Sequence, residues 1–222
     1  MQGFYEEQYP AIRAVLGDVT AVVEKKMECI DEVELRFGSQ VQGRFKNGVT
    51  QDFFEKSLSM VEEYDGWSSH DEDWRQTVDY FYLYKGQQIR SRVNDMGPVE
   101  TIRKTVLGQR DIQEDASSHM LRVQVSREMP VVIGANDDLG TGLTFLRLKQ
   151  QRRFSYKEWN FEFAKVWCGS TFQEADRAFF TKVPASYEME IESLGNRGCA
   201  VQTSVSLLLK ALDFLSEEST FH

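Results

Sequence analysis

An α+β protein built on a closed antiparallel β-barrel with a polar interior is what three features of this 222-residue chain predict. Two runs near opposite ends, Glu32-Val33-Glu34-Leu35-Arg36-Phe37-Gly38 and Tyr187-Glu188-Met189-Glu190-Ile191-Glu192, alternate charged with apolar residues. Arginine and lysine recur at the same period of two in the segments between them. Helical spacing is confined to a few stretches that flank or interrupt this β-rich region. Alternate side chains of a strand share a face, so each strand carries charge on one side and apolar residues on the other. Eight such strands close into a barrel that is polar within and packs helices outside. Such a lining requires a charged ligand.

The elements follow in order. Residues 5–28 are expected to form a helix, with Tyr9, Ile12, Val15, Leu16, Val22 and Val23 as its apolar stripe and Pro10 near the first turn. From Cys29 the period changes to two and strand one begins. Arg44–Gly48 reads as a turn or short hairpin. Asp52–Tyr64 returns to helical spacing through Phe53, Phe54, Leu58 and Val61, and Gly66–Glu72 is a polar connector. Strands are then expected near Trp74–Tyr84, Gln88–Asn94, Glu100–Leu107, Met120–Glu128, Leu143–Arg153, Phe154–Glu158, Phe161–Val166 and Ser186–Glu192. Breaks fall at Lys85-Gly86, at 95–98, at 134–142 and at 195–198. An amphipathic helix over about 199–215 closes the chain. With no repeat and no low-complexity linker, residues 1–222 read as one domain whose barrel strands occupy about 29–192.

Composition narrows the function. A net charge of −9 argues against non-specific coating of nucleic acid. No run of about 18 apolar residues suggests a membrane span, and the acidic N-terminus without an apolar leader predicts an intracellular protein. Cys29, Cys168 and Cys199 lack zinc-site spacing and are expected as buried free thiols. His70, His119 and His222 are expected at the surface, and the four tryptophans as packing anchors. Phosphate-loop and serine-elbow motifs and the zinc-protease helix are absent.

The glutamate runs predict a cation. Carboxylates at this spacing repel one another unless something bound between them offsets the charge, and carboxylate oxygens suit Mg²⁺ or Mn²⁺. The positive strands supply the counterpart. Arg90 and Arg92 share a face, as do Arg147, Lys149, Gln151 and Arg153. Arg122, Gln124, Ser126 and Glu128 form another such row, while Arg103 lies in a further strand. Guanidinium forks match phosphate oxygens, so acids and arginines in one cavity point to a triphosphate that arrives with a metal. A lone alternating pair of charges is ordinarily a solvated face or a salt bridge; co-occurrence on many strands is what favours a site.

These strands resemble the metal-dependent RNA 5′-triphosphatases of fungi, protozoa and viruses, members of the triphosphate tunnel metalloenzymes. The two glutamate runs are similar to that family's first and last signature strands. Leu121–Glu128 resembles its strand ending in a catalytic glutamate, Gln151–Tyr156 its basic strand, and Asn160-Phe161-Glu162 the element that follows. The compact length is similar to that of the kinetoplastid enzymes. The resemblance implies metal ligation by Glu32, Glu34 and Glu192. It implies water activation by Glu128 and Glu190, with Glu188 completing the acidic cluster. It further implies triphosphate binding by Arg90, Arg92, Arg103, Arg122, Lys149 and Arg153, with Arg36, Arg147, Gln151 and Glu162 in support. Gln151 stands where the family usually has lysine, so either Lys149 supplies that charge or the site lacks it. Asn160 replaces an arginine and Glu162 an aspartate.

The implied activity is release of the γ-phosphate from triphosphate-ended RNA, the first step of cap synthesis, with Mn²⁺ or Mg²⁺ as cofactor and metal-dependent NTP hydrolysis as a side reaction. The implied partners are the RNA 5′ end and a separate guanylyltransferase, since no KxDG motif is present. The implied location is the nucleus, and the implied state is a monomer or homodimer. Two alternatives stay open: a small-molecule triphosphatase of the same fold, acting on thiamine triphosphate, tripolyphosphate or a nucleotide, and a non-catalytic module that binds polyphosphate or RNA ends.

Overall fold

A computed structural model describes residues 32–113, 119–134, 142–157, 159–181, 183–193 and 210–211. Ten strands and two helices lie in this part: β1 (Glu32–Val41), β2 (Arg44–Asn47), α1 (Gln51–Glu62), β3 (Ser69–His70), β4 (Arg75–Tyr84), β5 (Gln87–Asn94), β6 (Gly97–Gln113), β7 (Met120–Pro130), β8 (Leu143–Tyr156), β9 (Trp159–Gly169), α2 (Phe172–Phe180) and β10 (Ser186–Ser193). The helices expected at 5–28 and 199–215 lie outside the described residues except for 210–211.

Eight strands close in the antiparallel order β1-β7-β6-β5-β4-β8-β9-β10, and β10 returns to β1. The closing join has three register pairs: Glu34 with Glu192, Leu35 with Ile191, and Arg36 with Glu190. β2 is a hairpin partner of β1, and β3 pairs with β8. Since this order is circular, β10, β1 and β7 face β5, β4 and β8 across the lumen.

The alternation anticipated in β1 is realised. Val33, Leu35 and Phe37 are buried on the outer face, where they join Val125, Phe161, Phe163 and Ile191 beneath α1. That helix starts at Thr50, whose side chain accepts from the Phe53 amide, and it buries Phe53, Phe54 and Val61. Phe54 is fully buried and packs edge-on against Phe163, so Phe54→Ala would cost about 3–5 kcal/mol. The four tryptophans also pack; Trp67 lies against Phe154 and Phe161 and donates to the Val61 carbonyl.

Several expectations need correction. β6 runs to Gln113 rather than stopping near Leu107; a register shift between Val106 and Gly108 forms a bulge there and pairing with β7 continues beyond it. The two strands read over Leu143–Arg153 and Phe154–Glu158 are one, β8. The first hairpin turns at Gln42-Gly43, both with positive φ, and Arg44–Asn47 is its return strand. Gly38 is required there, since an added Cβ would meet the Phe45 ring at 2.5 Å. Helix α2 had no clear sequence signal. It lies over Leu146 and Leu148 through Ala175 and Phe179. His119 is buried and stacks on Phe53. Cys168 is an exposed thiol, and the other two cysteines lie outside the described residues.

Candidate active site: a charged chamber inside the barrel

The inward rows converge on a cavity of about 400 Å³ within the barrel, the size of a small-ligand pocket. Its two facing sides differ in charge.

On one side, β1 and β10 bring Glu34 and Glu192 directly opposite each other in register. Glu34 is 1% exposed. Burial first, and Glu32 second, push its carboxyl up to about 7. Burial, with Glu162 and Glu32 nearby, pushes Glu192 up to about 8. Glu128 on β7 is raised in the same way, by burial and then by Glu32. Gln124 and Ser126 of β7 support the β1 acids: the Gln124 amide donates to Glu34, and Ser126 Oγ to Glu32 Oε2 at 2.9 Å. Glu190 behaves otherwise. Burial raises it, but Arg36 and Lys149 outweigh that effect and hold it low. Arg36 Nη2 donates to Glu34 Oε2 at 3.1 Å, and its Nε lies 3.3 Å from Glu190 Oε1.

The other side carries cations, each set against an acid. Arg92 grips Asp79 bidentately, at 2.7 and 3.1 Å. Arg90 pairs with Glu100 at 2.8 Å. Glu162 receives Lys149 at 2.7 Å and Arg153 at 3.0 Å; burial alone would raise its carboxyl, but these two cations hold it far below the usual range. The same balance, with Arg92, lowers Asp79. Two donors on this side are left over. Arg90 Nε and Arg153 Nε are buried and meet no acceptor among the described residues. An unmet buried donor costs about 1–3 kcal/mol, and ligand oxygens would remove that cost.

Of the residues singled out by sequence, twelve line the chamber: Glu32, Glu34, Glu128, Glu190 and Glu192 among the acids, Arg90, Arg92, Lys149 and Arg153 among the phosphate-binding candidates, and Arg36, Arg147 and Glu162 in support. Four do not. Arg103 points outward, where its guanidinium meets Gln87 and the Met129 sulfur. Its neighbour Lys104 points in, because Lys104 is the cross-strand partner of Glu128. Arg122 has the inward parity but lies beyond the chamber, paired with Asp111 at 2.6 Å and stacked on Phe45. Gln151 is buried between Lys149 and Arg153, and its Oε1 has no partner among the described residues. Glu188 is bound to Arg147 behind the lining.

Sequence reasoning missed Asp79, Glu100 and Lys104. A lone acid in the aromatic strand around Asp79 was a usable signal. For Lys104 the signal was the inward parity of Glu128, which required the strand register. Asn160, read only as a departure from the family pattern, is buried and donates to Glu192 Oε1 at 3.1 Å, while Ser155 Oγ donates to Asn160 Oδ1 at 2.7 Å.

Among the described residues no three acids, histidines or cysteines stand together as a ready cage for a divalent cation. Glu32 and Glu34 nevertheless share one cation, the Lys104 ammonium, whose Nζ lies 2.9 Å from Glu34 Oε2. Glu192 is the cross-strand neighbour of Glu34. Hard oxygen donors already gathered on a positive charge, with the Glu34 and Glu192 carboxyls pushed up by burial and by neighbouring acids, fit a hard cation.

Solved structures share this architecture. The S. pombe Pct1 RNA triphosphatase superposes with a TM-score of 0.64 at 14% identity, over 94% of this chain and 90% of its own. The mimivirus capping enzyme triphosphatase does so at 0.63 and 11%, over 91% and 97%. The fold is that of the RNA triphosphatases. A further S. pombe structure, with a TM-score of 0.63 at 13% identity over 94% of this chain and 91% of its own, holds Pct1 in complex with the Spt5 CTD. No family model and no curated protein matches this chain in sequence. Among the described residues no helix is long and apolar enough to cross a membrane.

Proposed function

We propose that this chain is a metal-dependent RNA 5′-triphosphatase, converting a triphosphate RNA end and water to a diphosphate end and inorganic phosphate. The observation that carries this reading is the opposition of the two sides: under-neutralised acids face cations whose spare N–H donors meet no acceptor among the described residues. Neither a bare anion nor a bare cation satisfies both.

In this reading Arg90, Arg92, Lys149 and Arg153 bind the phosphate oxygens and align the terminal phosphoryl group. Their acid partners fix the guanidinium planes in advance, so little reorganisation accompanies reaction. Glu32, Glu34 and Glu192 would hold Mn²⁺ or Mg²⁺, which when bound polarises a phosphoryl oxygen and offsets its growing charge. Glu128 takes the proton from water, its raised carboxyl being the better matched to that task. Glu190, kept anionic by Arg36, orients the water. Gln151 and Asn160 put no extra cation in the chamber, and Lys149 supplies the charge that Gln151 lacks.

The wider reading follows the same line: work at nascent transcripts in the nucleus, beside a separate guanylyltransferase, in a compact protein of the kinetoplastid type. The test is γ-phosphate release by the purified protein with Mg²⁺ or Mn²⁺ from triphosphate-ended RNA, thiamine triphosphate, tripolyphosphate and ATP. RNA ends should turn over fastest, and Glu32→Ala should remove the activity. Faster turnover of a small molecule would move the assignment to the other branch of the fold. Binding without turnover would leave a binding module.

A further inference from the structure

Lys104 reaches from β6 past β7 to β1. Its ammonium donates to Glu32 Oε2 and, at 2.9 Å, to Glu34 Oε2, while Glu128 Oε1 lies 3.7 Å away. Two proposed metal ligands and the proposed base thus surround one positive point. Arg36, which also touches Glu34, is shared with Glu190; Lys104 has its contacts at Glu32, Glu34 and Glu128. An ammonium is compact and rides on a flexible four-carbon stem. It cannot remain on these oxygens beside a divalent cation without strong repulsion in a buried site. The facing side already has its acid partners, so a displaced ammonium has one anion to move to, the incoming triphosphate.

We propose that Lys104 is an exchangeable counter-ion. In the metal-free protein its ammonium holds the cation's place between Glu32 and Glu34, and metal entry transfers it to the triphosphate. Metal and triphosphate then bind with positive coupling, and the coupling is reciprocal. The inference rests on the reading of Glu32 and Glu34 as metal ligands. It differs from a simple phosphate-binding role, in which Lys104 would leave the affinity for metal alone unchanged. It differs also from a purely structural role, in which losing Lys104 would weaken that affinity.

The test is Mn²⁺ affinity by calorimetry, with and without a β,γ-imido nucleoside triphosphate. Lys104→Gln should bind Mn²⁺ alone on the order of 10-fold more tightly than the parent protein, with smaller coupling to the analogue. Lys104→Arg, which keeps the charge, should not tighten. Equal or weaker Mn²⁺ binding by Lys104→Gln overturns the exchange and leaves the metal site standing. No Mn²⁺ binding by any variant overturns both. A second measurement uses the unaltered protein: labelling of Lys104 by an amine-reactive reagent, read by mass spectrometry, should rise when Mg²⁺ is added. Unchanged or reduced labelling overturns the exchange even if Lys104→Gln fails to fold.

Discussion

The two sides of the chamber are built from similar numbers of charges but are balanced differently. Across β5, β4 and β8 each cation faces an acid: Asp79 under Arg92, Glu100 beside Arg90, Glu162 between Lys149 and Arg153. Glu162 and Asp79 are held low as a result. Across β10, β1 and β7 the carboxyls of Glu34, Glu192 and Glu128 are raised instead. In the proposed reading, one side is set before the ligand arrives and the other would be set by the ligand. Preorganisation and unmet charge are thereby divided between facing strands, and neither element alone would make a site.

Substitutions on both sides probe this division. The largest effect is expected for Glu162→Gln, which removes the nearest anion of Lys149 and Arg153 and, among the described residues, leaves Arg153 only Glu192 at 3.7 Å. Breaking a buried pair from one side should cost about 3–5 kcal/mol in denaturant unfolding. A loss below about 1 kcal/mol, the value of an exposed pair, would mean that this side is not internally balanced. Next, Arg153→Ala or Arg90→Ala should lower kcat on the order of 10²–10³-fold with fold intact, as for loss of an oxyanion donor. Asn160→Leu should weaken Mn²⁺ about 10–100-fold, the usual effect of removing the partner that orients a ligand, while unfolding stays cooperative.

Glu192→Gln should have opposite effects on activity and stability. It should abolish the proposed turnover, yet raise metal-free stability by about 1 kcal/mol near pH 8, because it removes a buried charge without adequate compensation. The sign follows from the folded values. Glu34 and Glu192 rise from 4.5 to about 7 and about 8, so their contribution is fully present below about 4.5 and is lost as pH climbs through those values. The metal-free Tm should fall from about pH 5 to about pH 8.5, and Mn²⁺ should restore more of it at the upper end. A flat profile would remove the contrast between the sides. Smallest of all, Arg103→Ala and Arg122→Ala should stay within about threefold of the parent rate, the range of surface substitutions.

Strand parity explains how much was legible in the sequence. Over residues 32–37 of β1 and 187–192 of β10 every second residue is charged and every intervening one apolar, so Glu32, Glu34, Glu190 and Glu192 could be placed on one face by counting. In β6 both faces are mixed, Arg103 and Lys104 are adjacent, and the register shifts at Val93 and again after Val106. Counting therefore cannot say which of the two points in. Arg122 shows a second limit. Its parity is inward, but β6 and β7 continue past the chamber and Asp111 captures it there, which only pairing partners reveal. Asp79 shows a third, since an acid with no charged neighbour at i±2 gives no period to read. Helix α2 escaped because its apolar face is short, with Ala175 as its buried residue.

The join between β10 and β1 has one more consequence. Among the described residues it is the shortest seam in the barrel, three register pairs against seven between β1 and β7 and eight between β9 and β10. The pair at one end of it is Glu34 and Glu192, two like charges. The place where the wall must be sewn shut is thus the place where it is pushed apart. In the proposed reading, a cation held across that pair would act as a clasp on the cylinder as well as a reagent. Amide hydrogens of residues 34–36 and 190–192 should exchange more slowly once it is fastened, while those of β4 and β5 keep their rate.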